Sequence, residues 1–181
     1  KISTPLTEEI SKTLRAGDSI LLSGIVYTAR DAAHGRLINL LDEGKELPLN
    51  INGEVIYYVG PTPEKPGEVI GSAGPTTSYR MDDYTPQLLN LGLKGMIGKG
   101  ARDEEVISAI KRNNAIYFGA IGGAGALISK CIKSSEVIAY DDLGAEAIRK
   151  LEVKDMPLVV IIDTEGNNLY EIGKKEYLES I

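Results

Sequence analysis

The sequence has a single cysteine, Cys131, and a single histidine, His34. One thiol excludes a disulfide framework and any multi-thiolate metal site made by this chain alone. One imidazole removes the common zinc constellations and leaves His34 to cap or pack. Cys131 stands in the apolar run 126–132, where a free cysteine packs as a small hydrophobe. An excess of positive charge is missing too. With 20 Lys and Arg against 26 Asp and Glu the net charge is −6, which argues against nucleic acid as the main partner. A locally basic pocket stays open to Arg30, Arg36, Arg80 and Lys99. No apolar run reaches the length of a membrane span; the longest, Leu158 to Ile162, suits one buried strand. No signal-peptide pattern is read, and a cytoplasmic location is expected, although the first residue is Lys1 and not methionine. Repeats and low-complexity linkers are absent as well.

What is present is the make-up of a globular protein: 181 residues, 43% apolar and 25% charged. That length buries a full core without cross-links, so residues 1–181 are read as one domain. Thr7 caps a helix over 8–15, and Ala16-Gly17-Asp18 stops it. The β-rich run 19–28 reads as a strand that delivers Arg30 and Asp31 to a helix start; Leu37, Ile38, Leu40 and Leu41 give that helix its apolar stripe, and Gly44 ends it. A strand follows over 54–60, then a stiff excursion carrying Pro61, Pro63 and Pro66. Thr85-Pro86 opens a helix that Gly92 closes. Beyond it the sequence predicts strand 94–98, a helix capped by Asp103, strand 115–121, a turn at 122–125, helix 126–133, strand 136–140, helix 145–151 and strand 157–163. A hairpin turn at 164–168 then leads to a last strand over 169–172. This alternation argues for an α/β fold with a largely parallel sheet.

Two stretches carry chemistry. Ile121-Gly122-Gly123-Ala124-Gly125-Ala126 follows a strand and opens a helix, the setting of a dinucleotide fingerprint. The spacing fails, because the third small residue should stand at position 128, which is Ile128. A tight turn lining or flanking a pocket is the better reading. The other stretch is Gly71-Ser72-Ala73-Gly74-Pro75-Thr76-Thr77-Ser78-Tyr79-Arg80-Met81-Asp82. Its glycines and proline suit a fixed turn, its hydroxyls crowd one small volume, and Arg80 adds a planar fork for a carboxylate. On composition alone an ordinary polar loop is favoured over a pocket for a small organic acid.

The wider pattern is more specific. Gly74-Pro75-Thr76-Thr77-x-x-Arg80-Met81-Asp82 followed by Gly98-Lys99-Gly100 resembles the C-terminal domain of the class I (iron–sulfur) fumarases. The same domain occurs as the separate β subunit of two-subunit fumarases and L-tartrate dehydratases. Tyr27-Thr28-Ala29-Arg30-Asp31-Ala32-Ala33-His34, the segment 119–124 and Glu152-Val153-Lys154-Asp155-Met156-Pro157 resemble that family as well, in order along nearly the whole chain. The resemblance implies a swivelling β/β/α domain and a hydro-lyase acting on a four-carbon hydroxy dicarboxylate, malate to fumarate or tartrate to oxaloacetate. It implies a 4Fe-4S cluster held by a cluster-bearing α subunit and not by this chain, with the two assembled as a two-fold hetero-oligomer. Arg30, Arg80 and Lys99 match the family's substrate-binding positions, and Thr76 the position associated with proton transfer at carbon. Each keeps a plainer alternative: a surface arginine beside Asp31 for Arg30, a partner in Asp82 or Asp83 for Arg80, an exposed lysine for Lys99, a mere hydrogen bond to carboxylate for Thr76. The alternative for the whole chain is a non-catalytic organic-acid-binding or regulatory subunit.

Overall fold

The longest strand, Ile148–Ile162, holds the architecture together, because it is the one that brings both halves of the sheet into contact. In the computed structural model, which describes residues 1–120 and 125–181, seven strands form one mixed sheet in the order β1-β2-β3-β4-β5-β7-β6. They are β1 (Ile2–Ser3), β2 (Ser19–Thr28), β3 (Val55–Tyr57), β4 (Gly95–Gly98), β5 (Ile116–Ala120), β6 (Ile132–Ala139) and β7 (Ile148–Ile162). The strands β1 to β5 pair with one another in parallel. β7 runs antiparallel to β5, to β6 and, from Ser19↔Val159 to Tyr27↔Lys150, to β2. The chain of pairings β2-β3-β4-β5-β7 therefore returns to β2 and closes a ring, with β1 and β6 appended.

Alternation along the strands fills both faces of that ring, as the two-residue period of a pleated strand requires. Val55 and Tyr57, Ile97, Ile116 and Phe118, Leu151, Val153, Leu158 and Val160 gather in the apolar interior. Their neighbours Ile56, Tyr58, Met96, Tyr117 and Ile161 face a second core beneath the helices. Those helices are α2 (Asp31–Asp42), α3 (Thr85–Asn90) and α4 (Glu104–Asn113), which contribute Ala33, Leu37, Leu88, Val106 and Ile110. Two expected caps are in place: Thr7 accepts from the Ile10 N–H ahead of α1 (Glu8–Thr13), and Asp103 from Val106 N–H ahead of α4, whereas Thr85, expected to cap α3, is its first residue behind Tyr84 and donates to the Met81 carbonyl. The α/β reading holds, and the sheet is mixed.

Three expected elements differ. Residues 145–151 are not a helix: a 3-10 segment over 141–146 gives way to β7 at Ile148. Ile148 and Leu151 stand three apart and mimic a helical stripe, but buried Leu151 and Val153 alternate with exposed Glu152 and Lys154, as in a strand. The helix expected over 126–133 is the short α5 (Gly125–Ser129), and β6 starts as early as Ile132. The last expected strand is instead the helix α6 (Leu169–Ser180), started by Asn168, whose side chain accepts from the Tyr170 N–H at 3.1 Å. The segment 121–124, which carries most of the glycine-rich turn, lies outside the described residues.

Candidate active site

Parallel neighbours end at the same edge of a sheet, so the ends of β2, β3 and β4 place Arg30, Tyr58 and Lys99 side by side. The Thr76–Ser78 segment is drawn into that edge by backbone pairing. Thr76 N–H donates to the Tyr58 carbonyl at 2.8 Å, Lys99 N–H to the Thr76 carbonyl at 3.3 Å, and Ser78 N–H to the Lys99 carbonyl at 2.9 Å. Thr77 forms a parallel bridge with Lys99. Glycine at position 98 is what admits this segment, since a Cβ there would run into Ser78 Oγ and the Tyr58 ring.

Side chains complete the cluster. Arg80, in the 3-10 turn Tyr79–Met81, donates from Nη2 to Thr76 Oγ1 at 3.1 Å, while its Nε lies 3.5 Å from Asp31 Oδ2. Arg30 occupies the N-cap position of α2 and its side chain satisfies none of that helix's first N–H groups. Its Nε is buried, lies 3.8 Å from Glu146 Oε1 and has no hydrogen-bond partner among the described residues. Its guanidinium packs on Gly60, where a Cβ would come within 2.5 Å of Nη1. The Lys99 side chain is exposed at the same edge. Thr76 and Arg80 are thus joined directly, Lys99 joins them through its backbone, and Arg30 stands beside Asp31, which holds Arg80.

The remaining candidates fall elsewhere. Arg36 forks onto Asp142, at 2.8 Å from Nη1, and lies over the Tyr140 ring, so it takes no part in the cluster. The carboxylate beside Arg30 is Glu146, and Asp31 serves Arg80 instead. Asp82 is engaged by Arg102 at 2.7 Å. His34 is fully buried against Tyr58 and Tyr84, and donates from Nδ1 to the Arg30 carbonyl at 2.8 Å. Burial pushes its pKa down to about 4, so it is neutral at physiological pH, and its Nε2 has no partner among the described residues. It packs between the two tyrosine rings. Cys131 is likewise partly buried, its Sγ near the carbonyls of Leu127 and Asp155.

Sequence reasoning misses Glu146, which falls in the first turn of the helix expected over 145–151, and Arg102, whose only signal is its position just after Gly98-Lys99-Gly100. Among the described residues no group of His, Cys, Asp and Glu could hold a metal ion. No described helix is long and apolar enough to cross a membrane.

The edge thus carries the Gly-Pro-Thr-Thr and Gly-Lys-Gly segments together. The family described as Fumarase C-terminus matches residues 1–173. The chain belongs to this family. Within it, the chain is 41% identical over 152 residues to the anaerobic class I fumarate hydratase of Escherichia coli K12, which covers 83% of the chain but only 28% of that protein. It is 37% identical over 156 residues to fumarate hydratase 2 of Leishmania major, again spanning 28% of the relative. A Methanocaldococcus jannaschii protein named "Putative L(+)-tartrate dehydratase subunit beta" is of nearly the same length: it is 37% identical over 179 residues, 95% of this chain and 92% of its own. The chain therefore spans less than a third of these fumarate hydratases and almost all of the tartrate dehydratase β subunit.

Proposed function

We propose that this chain, residues 1–181, is the β subunit or C-terminal domain of a hydro-lyase acting on a four-carbon hydroxy dicarboxylate, either malate/fumarate or tartrate. The observation that carries the reading is the Asp31–Arg80–Thr76 chain of contacts at the carboxyl edge of β2, β3 and β4, with Arg30 and Lys99 beside it. A dianion needs cationic and N–H partners, and this edge supplies both. Arg80 is aimed rather than loose: Asp31 holds Nε, and Nη2 reaches Thr76. Arg30, Arg80 and Lys99 bind the two carboxylates in this reading, and Thr76 Oγ1 faces the carbon that gains or loses a proton. A threonine hydroxyl is a poor base in water, so a direct charged donor on Oγ1 is the feature that lets it take part. Where Thr76 only hydrogen-bonds a carboxylate, the same donor orients it.

The family implies an iron–sulfur cluster, and this chain's residues do not fit one. A four-iron cluster is held by several thiolates, and the sequence has Cys131 alone, packed against backbone carbonyls. In our reading a cluster-bearing α subunit or preceding domain holds it and supplies the other wall of the site. The test is reconstitution. Purified alone, the chain is expected to fold and to show no turnover of malate or L-tartrate. Mixed with its α partner it is expected to turn over one of them and to form a stable hetero-oligomer, with two copies of each chain, by light scattering. Turnover by the isolated, iron-free chain would overturn the shared-site reading. An inactive but stable complex that binds dicarboxylate would favour a regulatory subunit.

A further inference from the structure

Behind the candidate site lies a buried arginine that the function proposed above does not use. The Arg102 side chain is fully shielded from solvent. It donates from Nε to Asp82 Oδ1 at 2.7 Å and from Nη2 to Thr85 Oγ1 at 2.9 Å and Tyr58 OH at 3.1 Å. Nη1 points to Met96 Sδ, and the guanidinium carbon lies 5.2 Å from the Tyr58 ring centre and 4.9 Å from that of Tyr117. The other oxygen of Asp82 accepts the Asp103 N–H at 2.9 Å.

Both tyrosines lead from this guanidinium to the site. The Tyr58 carbonyl receives the Thr76 N–H. The Tyr117 hydroxyl is 2.8 Å from the Gly100 carbonyl, to which it must donate, and so it accepts from Ser78 Oγ at 2.7 Å. One cation thereby ties the Thr76–Asp82 segment to the Lys99–Asp103 segment. Isolated buried ion pairs add little to stability, because desolvation offsets their attraction. A pair whose guanidinium donates to Asp82, Thr85 and Tyr58 at once, at the back of the two loops of the candidate site, fits the alternative use, fixing one geometry among several.

We propose that Arg102, with Asp82, is a positioning residue that sets Thr76 and Arg80 against Lys99. The inference rests on the proposed function for what the site does, and on the hydrogen bonds alone for which loops are held. The experiment compares wild type, Arg102→Lys and the apolar double variant Arg102→Met/Asp82→Leu. In each, amide hydrogen exchange of the chain is followed, and kcat/KM is measured on the partner-assembled complex. Replacing both partners by apolar groups restores much of the thermal midpoint that a lone buried charge would lose. The expected result is exchange at Thr76, Ser78 and Lys99 faster by roughly tenfold or more, with β2 and β7 amides unchanged. A displacement of about an ångström at the site should lower kcat/KM by up to about a hundredfold. Wild-type protection at those three amides would overturn the proposal. So would exchange accelerated uniformly across sheet and loops in both variants, which marks a purely structural pair. Should the complex prove inactive on both dicarboxylates, the functional reading fails, while the exchange data still decide the role of Arg102.

Discussion

Arg80 is the residue on which the sharpest test turns, because its two readings predict opposite orderings. As a carboxylate fork it loses its bidentate geometry in Arg80→Lys while keeping its charge. A charge-assisted hydrogen bond contributes about 1.5–3 kcal/mol, so kcat/KM of the assembled enzyme should fall roughly ten- to a hundredfold, and further in Arg80→Ala. The thermal midpoint should move little, since the Arg80 and Asp31 side chains are 39% and 40% exposed and such a pair is worth about 0–1 kcal/mol. Normal turnover with lowered stability would make Arg80 structural. His34 answers to pH. Its pKa is lowered in the folded state to about 4 by burial, so the unfolded chain binds the proton first as pH falls. Its contribution is complete above the ordinary value of 6.5 and is lost as pH drops through about 4, roughly 3 kcal/mol in all. His34→Asn retains a donor for the Arg30 carbonyl and does not titrate. Denaturant unfolding at pH 7 and pH 4 should therefore show a smaller loss in the variant; equal losses would remove His34 as the cause.

At the scale of elements, position 98 shows how sequence and packing divide the work. Gly98 ends the expected strand 94–98 and is the last residue of β4, where it clears room for Ser78 and Tyr58. Gly98→Ala should overpack this junction and cost about 1–3 kcal/mol. The cost should come with a loss of activity, as Ser78 is pushed from Tyr117; an unaltered melting curve would mean that the Ser78 segment yields freely. The motifs around Thr76, Lys99 and Arg30 were legible because their residues are adjacent in sequence. Their partners were not. Glu146 reaches Arg30 from a 3-10 segment far along the chain, and the Asp31–Arg80 contact depends on how α2 meets the Tyr79–Met81 turn. Local periodicity found β2, α2 and α4, and failed where a strand happened to place Ile148 and Leu151 at helical spacing.

For the whole molecule, alternating elements announced an α/β sheet, but nothing local announced that the sheet closes. Closure is a property of β7, which lies between β2 and β5 and carries β6 on its other half. Its consequence concerns the growing chain. Val159 is paired with Ser19 and Leu158 with Ala120, so a nascent protein that has not yet released residues 148–162 from the ribosome leaves β2 and β5 as two open edges. Such edges are templates for pairing with other chains. Contacts this distant also slow folding, because a large loop must close before they form. The strand that completes the scaffold of the site is made after every other strand of the sheet, and until it arrives the rest of the sheet is a candidate for chaperone protection.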